Sequence, residues 1–390
     1  MQNKKMDCIA VCLFGLEATV SYELKNLGIE VTRVSDGRVR FKAQAYEVAK
    51  ANLCLRTAER VLIHLGSYRA QSFEELYRGM SSLDFEQYLT KDCKFPVARV
   101  RSLKSALHSI PDIQSVAKKA IVDRMKSIHK DVRIFSETGV EYPIHLFLHK
   151  DMVEVTIDTT GMALHKRGYR ELSGEAPIRE TLAAFMVMLT PWNKDRVLLD
   201  PMCGSGTIAI EAAMIGANIR PGVNRNFIGE EFAFLPKEEW VRARKEAIEG
   251  ERSDVQLSIY ASDIDPEMIK LAKENAELAG VSDLIQFEVK DIKDVSLEEE
   301  YGFMITNPPY GLRIGDEKNL QSYYRELGRL SKRLKNWSYY VITTYSDIEV
   351  YFDKKADKKR NLYNGKQKTV YYQFLGERPP KEYVFFNQSE

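Results

Sequence analysis

From residue 161 onward, short apolar runs alternate with stretches of helical period, and this alternation restricts the fold more than any other feature of the chain. A strand returns to a parallel neighbour only through a crossover, so the pattern predicts a parallel sheet wrapped by helices. Residues 196–200 (RVLLD) are read as the first strand of the series, followed by a glycine-rich turn and a helix over 207–215. Residues 256–263 (QLSIYASD) and 266–279 (PEMIKLAKENAELA) supply the next strand and helix, and 284–289, 303–306 and 338–343 later strands. The fold class expected over 161–390 is therefore a doubly wound, Rossmann-like α/β domain.

The preceding residues follow another pattern. A strand over 6–14, a helix over 16–27 and β-like runs at 29–34 and 39–41 around Asp36-Gly37 predict a small α+β lead unit at 1–44. Helical period at 45–53, 72–79 and 112–129, with strands at 60–67, 95–100, 144–148 and 153–159, predicts a second α+β unit at 45–160. A chain of 390 residues exceeds what one core serves, which agrees with several domains. Hydrophobic residues at 44% and charged residues at 29% exclude a disordered or disulfide-knit chain. No run approaches a membrane span, and no signal-like start is present, so a cytoplasmic protein with no membrane partner is expected. Five cysteines with no CxxC pair suggest a reducing compartment and no metal.

Charge is unevenly spread. Residues 1–170 hold 27 Lys and Arg against 20 Asp and Glu, whereas 171–390 hold 30 against 36. Most of the front surplus lies in 94–133, where ten basic residues face three acids. Such a surplus attracts a polyanion or is a solvated helix face. Lys118, Lys119 and Arg124 are its candidate contacts to such a polyanion.

The run LLDPMCGSGT at 198–207 ends a strand in an acid and opens a helix through two glycines. Glycines let a ligand approach the backbone, and the helix start offers free N–H groups. The third glycine of a dinucleotide fingerprint is missing, which argues against a pyrophosphate. The next strand ends in Asp263, suited to ribose hydroxyls, and the following one near Asp291, suited to an adenine amine. Together with Asp200 these acids outline an adenosyl ligand at a switch point. After the fourth strand comes Asn307-Pro308-Pro309-Tyr310-Gly311. The prolines fix the backbone. The Asn307 amide oxygen and the Pro308 carbonyl can then accept from a planar exocyclic amine while Tyr310 stacks on the base. Two acceptors favour the pyramidal nitrogen found near the transition state.

DPMCGSGT, SDIDP and NPPYG resemble the class I S-adenosylmethionine-dependent amino-methyltransferases. LHKRGYR (164–170), SGEAPIRETLAA (173–184) and NPPYGLR (307–313) are more specifically similar to the bacterial THUMP-domain large-subunit ribosomal RNA guanine-N2 methyltransferases. The resemblance implies a ferredoxin-like lead segment and a THUMP-like RNA-binding domain ahead of the methyltransferase domain. It implies S-adenosylmethionine as cofactor, with S-adenosylhomocysteine as product, and RNA, ribosomal RNA above all, as partner. It places Asp200, Cys203, Gly204, Ser205, Gly206 and Thr207 along the methionine part of the cofactor, Asp263 on its ribose and Asp291 on its adenine. Pro177, Arg179 and Thr181 match a segment covering the cofactor from the other side, and Asn307, Pro308 and Tyr310 the residues that hold the target amine. An insertion at 217–250 lengthens the gap from Asp200 to Asp263, as is typical of this subfamily. Some enterobacterial members carry a second methyltransferase domain; this sequence ends at Glu390, so that second activity is expected to be absent.

The residues themselves leave other substrates open. NPPY serves adenine N6 in DNA, a protein glutamine, or guanine N2 in transfer RNA as well as in ribosomal RNA. A non-enzymatic reading is an RNA-binding assembly factor, which the intact Asp200, Asp263, Asn307 and Tyr310 disfavour.

Overall fold

The computed structural model describes residues 4–131, 134–170, 178–309, 317–365 and 367–381. The chain divides into two compact units, one of Met1–Cys12, Val20–Leu164 and Asn226–Glu246, the other of Leu13–Thr19, His165–Arg225 and Ala247–Glu390.

The first unit is built on strands β1 (Met6–Cys12), β2 (Glu30–Ser35), β3 (Arg38–Ala43), β4 (Ala58–Arg69), β5 (Val97–Leu103), β6 (Ile144–His149) and β7 (Met152–Asp158). They form one seven-stranded sheet in the order β2-β3-β1-β4-β7-β6-β5. This sheet joins segments that the sequence suggested were separate units. The reason is β4, which pairs antiparallel with β1 on one edge and with β7 on the other. Only the β5–β6 pairing is parallel. Helices α1 (Glu17–Asn26), α2 (Ala45–Cys54), α3 (Phe73–Ser81) and α4 (Ile110–Ile128) accompany the sheet. Their starts follow capping chemistry: the Gln44 N–H donates to Glu47, and Ser72 accepts from the Glu75 N–H. Along α4, Ile113, Ala117, Ala120, Ile121 and Met125 make one buried stripe. Alternation in β6 is equally plain: Ile144, Leu146 and Leu148 are buried, while His145, Phe147 and His149 point to the opposite face.

Part of the 217–250 insertion also belongs to this unit. The Tyr142 ring stacks on Phe232 at 4.3 Å, its hydroxyl accepts from the Ala233 N–H at 3.0 Å, and the Thr159 carbonyl accepts from the Gly229 N–H at 3.0 Å. Phe227, Phe232, Leu235 and Trp240 are buried there.

The second unit contains α5 (Glu180–Met188), α6 (Thr207–Gly216), α8 (Pro266–Leu278), α9 (Glu317–Arg333) and α10 (Ile348–Tyr351); α7 (Lys237–Glu249) begins in the first. Its strands are β8 (Leu198–Asp200), β9 (Ile259–Asp263), β10 (Gln286–Val289), β11 (Phe303–Thr306), β12 (Ser338–Thr343), β13 (Lys358–Asn364) and β14 (Gln367–Phe374). The order is β10-β9-β8-β11-β12-β14-β13, parallel from β10 to β12 and antiparallel beyond. Strand order reverses between β8 and β11, the place where doubly wound sheets open a crevice at their carboxyl ends. The β13–β14 hairpin was not anticipated, because KKRNLYN carries too much charge to signal a strand. Its partner strand buries Tyr372 and Phe374 against an aromatic core with Tyr324, Trp337 and Tyr339, and Tyr371 beside Tyr340.

Candidate active site

The ends of β8 and β11 flank the reversal. The last residue of β8, Asp200, is 1% exposed and accepts a 2.7 Å hydrogen bond from Thr306 Oγ1 at the end of β11. Burial pushes its carboxyl up to about 7, against the relief given by Thr306 and the Met202 N–H. Sequence reasoning singled out Asp200 and missed Thr306, whose only signal is its place just before Asn307.

The glycine turn follows. Gly204 has φ +50° and Gly206, the N-cap of α6, φ +80°, a region costly to residues with a Cβ. A Cβ on Gly206 would come within 3.0 Å of Ala272 Cβ, whereas one on Gly204 would meet nothing within 4 Å. Gly206 is therefore required by packing, and Gly204 borders open space. Asp263 braces this turn: its Oδ2 accepts from the Gly204 N–H at 2.9 Å and its Oδ1 from the Asp265 N–H at 3.0 Å. Each oxygen keeps a lone pair for a ligand hydroxyl. Cys203, Ser205 and Thr207 are all less than a tenth exposed, and the Ser205 carbonyl accepts from Asn275 Nδ2 at 3.1 Å. Asp291, two residues past β10, caps the next turn through the Lys293 N–H, and that bond and the Lys293 ammonium hold its carboxyl below the usual range.

A buried charge cluster supports the same loop. Arg170 donates to Thr207 Oγ1 at 3.2 Å and to the Ile178 carbonyl at 3.1 Å, and pairs with Glu180 at 3.0 Å. It thereby ties the start of α5 to the start of α6. Behind it, Arg167 pairs with Glu211, which also accepts from the Tyr169 hydroxyl at 3.0 Å. LHKRGYR thus acts as an internal brace, a role its sequence alone did not disclose. Arg179 immediately precedes α5 and Thr181 is buried within it. Asn307 is half-buried and Pro308 buried at the end of β11. Pro177 and Tyr310 lie outside the described residues.

The donor set fits an adenosyl ligand with a methionine tail: open space over Gly204, a buried carboxyl at Asp200 and further acids after β9 and β10. Residues 167–373 match the model of the RMKL-like methyltransferase domain. The chain belongs to the RMKL-like methyltransferase family. In this family member, residues 7–62 also match the RlmL ferredoxin-like domain and 70–158 the THUMP domain. The first of these matches runs past residue 44 into β4, the strand that pairs with β1. A Bacillus subtilis protein described as "Putative RNA methyltransferase YpsC" is 44% identical over 97% of this chain and 98% of its own. The ribosomal RNA large subunit methyltransferase K/L of Psychromonas ingrahamii is 33% identical over 94% of this chain, which spans half of that protein's length. A crystal structure of SMU.472, described as "a putative methyltransferase complexed with SAH", superposes with a TM-score of 0.91 at 42% identity, over 97% of this chain and all of that one.

Two of the three expected RNA-binding cations on α4 of this RMKL-like chain have partners within the unit. Lys118 Nζ lies 3.6 Å from the Phe95 ring centre and pairs with Glu137 at 2.7 Å. Arg124 pairs with Glu86 and, at 3.0 Å, with Asp84. Of the three, Lys119 is the exposed one. The charge excess of 94–133 is thus partly consumed by acids from elsewhere in the unit, which a local count cannot register.

Proposed function

We propose that the protein methylates the exocyclic N2 of guanine in large-subunit ribosomal RNA, with S-adenosylmethionine as methyl donor. The observation that carries this reading is the position of Asn307-Pro308 directly after Thr306, the end of β11, whose hydroxyl donates to the buried Asp200. Bound there, the donor supplies an electrophilic methyl group on a sulfonium. The Asn307 amide oxygen and the Pro308 carbonyl accept the two N–H bonds of the amine and turn its lone pair out of the ring plane. The resemblance assigns Tyr310 to the face of the base. Such acceptors act most strongly on the positive nitrogen that develops during transfer. The proton departs after the methyl group arrives, when the nitrogen is strongly acidic, so no base of raised pKa is needed.

Ribosomal RNA is favoured by the THUMP and RlmL ferredoxin-like matches and by the activity for which the Psychromonas relative is named. The test uses the purified chain, methyl-labelled donor and ribosomal RNA from cells lacking this protein, with transfer RNA, DNA and protein as parallel substrates. N2-methylguanosine should appear in the large-subunit RNA. Label confined to transfer RNA, or to N6-methyladenine in DNA, would refute the assignment.

A further inference from the structure

One face of the seven-stranded sheet packs its apolar side chains, and the register of the strands shows what the other face carries. Leu103, His149, Met152 and Arg69 lie side by side across β5, β6, β7 and β4. The next row contains Arg101, Phe147 and Glu154, and the one after it Arg99, His145 and Thr156. On the β3 side of the sheet the same face holds Arg38 and Arg40, both paired with Glu154. β3 and β6 are four strand spacings apart, about 19 Å in a flat sheet. The Arg38 guanidinium nevertheless sits 4.1 Å from the Phe147 ring centre, so the sheet curls and this face is concave.

The face is positive beyond what its acids neutralise. Glu154 and Asp158 are taken by Arg38, Arg40 and Arg60, while exposed Arg99 and Arg101 have no ion-pair partner among the described residues. The field is felt inside the sheet: burial, reinforced by Arg60, Arg99 and Arg38, lowers His145 to about 3. The face is also apolar at its rim. Leu103 is 38% exposed and Met152 47%, beside the exposed His149, whose ring lies 6.0 Å from that of Phe147.

We propose that this concave face binds an unpaired segment of the RNA substrate, its phosphates on Arg99 and Arg101 and its bases on the His149, Phe147, Leu103 and Met152 platform. The inference rests on the reading of the substrate as RNA. A duplex offers phosphates and 2′-hydroxyls but keeps its bases stacked inward, so it has no use for exposed apolar and planar groups; single strands use both cations and stacking surfaces.

The test measures binding of the full chain to a short single-stranded RNA of mixed sequence, to the same strand annealed to its complement, and to polyglutamate, without methyl donor. The single strand should bind most tightly. The double variant Arg99→Ala/Arg101→Ala should weaken it about tenfold and flatten the log–log salt dependence by roughly 1.4. His149→Ala, read at pH 8, should cost about tenfold with an unchanged salt slope, the mark of a lost stack. S-adenosylhomocysteine affinity should stay constant in each variant, which reports an intact second unit, and an unchanged melting temperature reports an intact first one. Unaltered single-strand affinity in either variant would overturn the proposal. So would tighter binding of the duplex, equal binding of polyglutamate, or a loss seen only with Lys119→Ala/Lys126→Ala on α4. Because no methyl transfer is measured, an enzyme with another target base fails the previous reading and leaves this one standing.

Discussion

At the scale of single residues, Asn307 and Asp200 divide the labour. On the proposed reading, Asn307 acts on the amine and the cofactor-side groups lie around Asp200, Gly204 and Asp263. Asn307→Ala should therefore bind S-adenosylhomocysteine as the parent does while losing about 100- to 1000-fold in single-turnover rate. Calorimetry beside a quench-flow assay checks both halves. Asp200 predicts an unusual pH dependence. Its carboxyl ordinarily titrates at 3.8 and is pushed up to about 7 by burial, so between these values the folded chain holds a proton that the unfolded chain has released. More protons on the native state mean that stability of the ligand-free protein falls as pH rises through this window, the reverse of a salt-bridged aspartate. Asp200→Asn keeps an acceptor for Thr306 and should remove that fall in a thermal melt series. Donor affinity should move oppositely. A neutral Asp200 cannot attract a cationic donor, so affinity rises with pH by at most about tenfold per unit until Asp200 is ionised.

At the scale of elements, the turn between β8 and α6 separates two uses of glycine. Gly206→Ala would place a Cβ 3.0 Å from Ala272 Cβ at φ +80°, and should lower the melting temperature through a left-handed cost of about 1–2 kcal/mol plus the forced shift in α8. Gly204→Ala meets no protein atom within 4 Å, so its stability loss should be limited to backbone strain at φ +50°. Its Cβ enters the space above the turn instead, and donor affinity should fall more than stability does. Equal donor affinity in both variants would show that the space over Gly204 is not the ligand's. The existence of this turn could be read from DPMCGSGT because two glycines before a helical run have few other uses. Which glycine is packed could not, since Ala272 lies on a helix more than sixty residues away.

At the scale of the whole molecule, the first unit is discontinuous in sequence. Residues 226–246 complete its core with Phe227, Phe232, Leu235 and Trp240, all at most 3% exposed. Removing even one such aromatic typically costs about 3–5 kcal/mol. A fragment ending at Leu164 should accordingly melt well below the first unit of the intact chain, and the amides of β6 and β7 should exchange faster in the fragment than in the full protein. Matching hydrogen-exchange protection in the two would mean that the insertion contributes nothing to this core.

The sequence by itself determined the alternating α/β domain, the acids at its strand ends and the NPPY turn. These depend on local period, on proline and glycine backbone limits, and on chain order, all of which are written in neighbouring residues. It located Asn307, Asp200 and Asp263 for that reason. Only the tertiary structure decided that β4 makes one sheet of two apparent units, that residues 226–246 leave the domain in which they are encoded, and that Arg170 braces the glycine turn. It also paired Lys118 and Arg124 of α4 with Glu137, Glu86 and Asp84 in three dimensions, while Arg99 and Arg101 on the sheet find no such acid among the described residues. Pairing across a sheet and neutralisation of charge are settled by residues distant in the chain, and a linear pattern records neither.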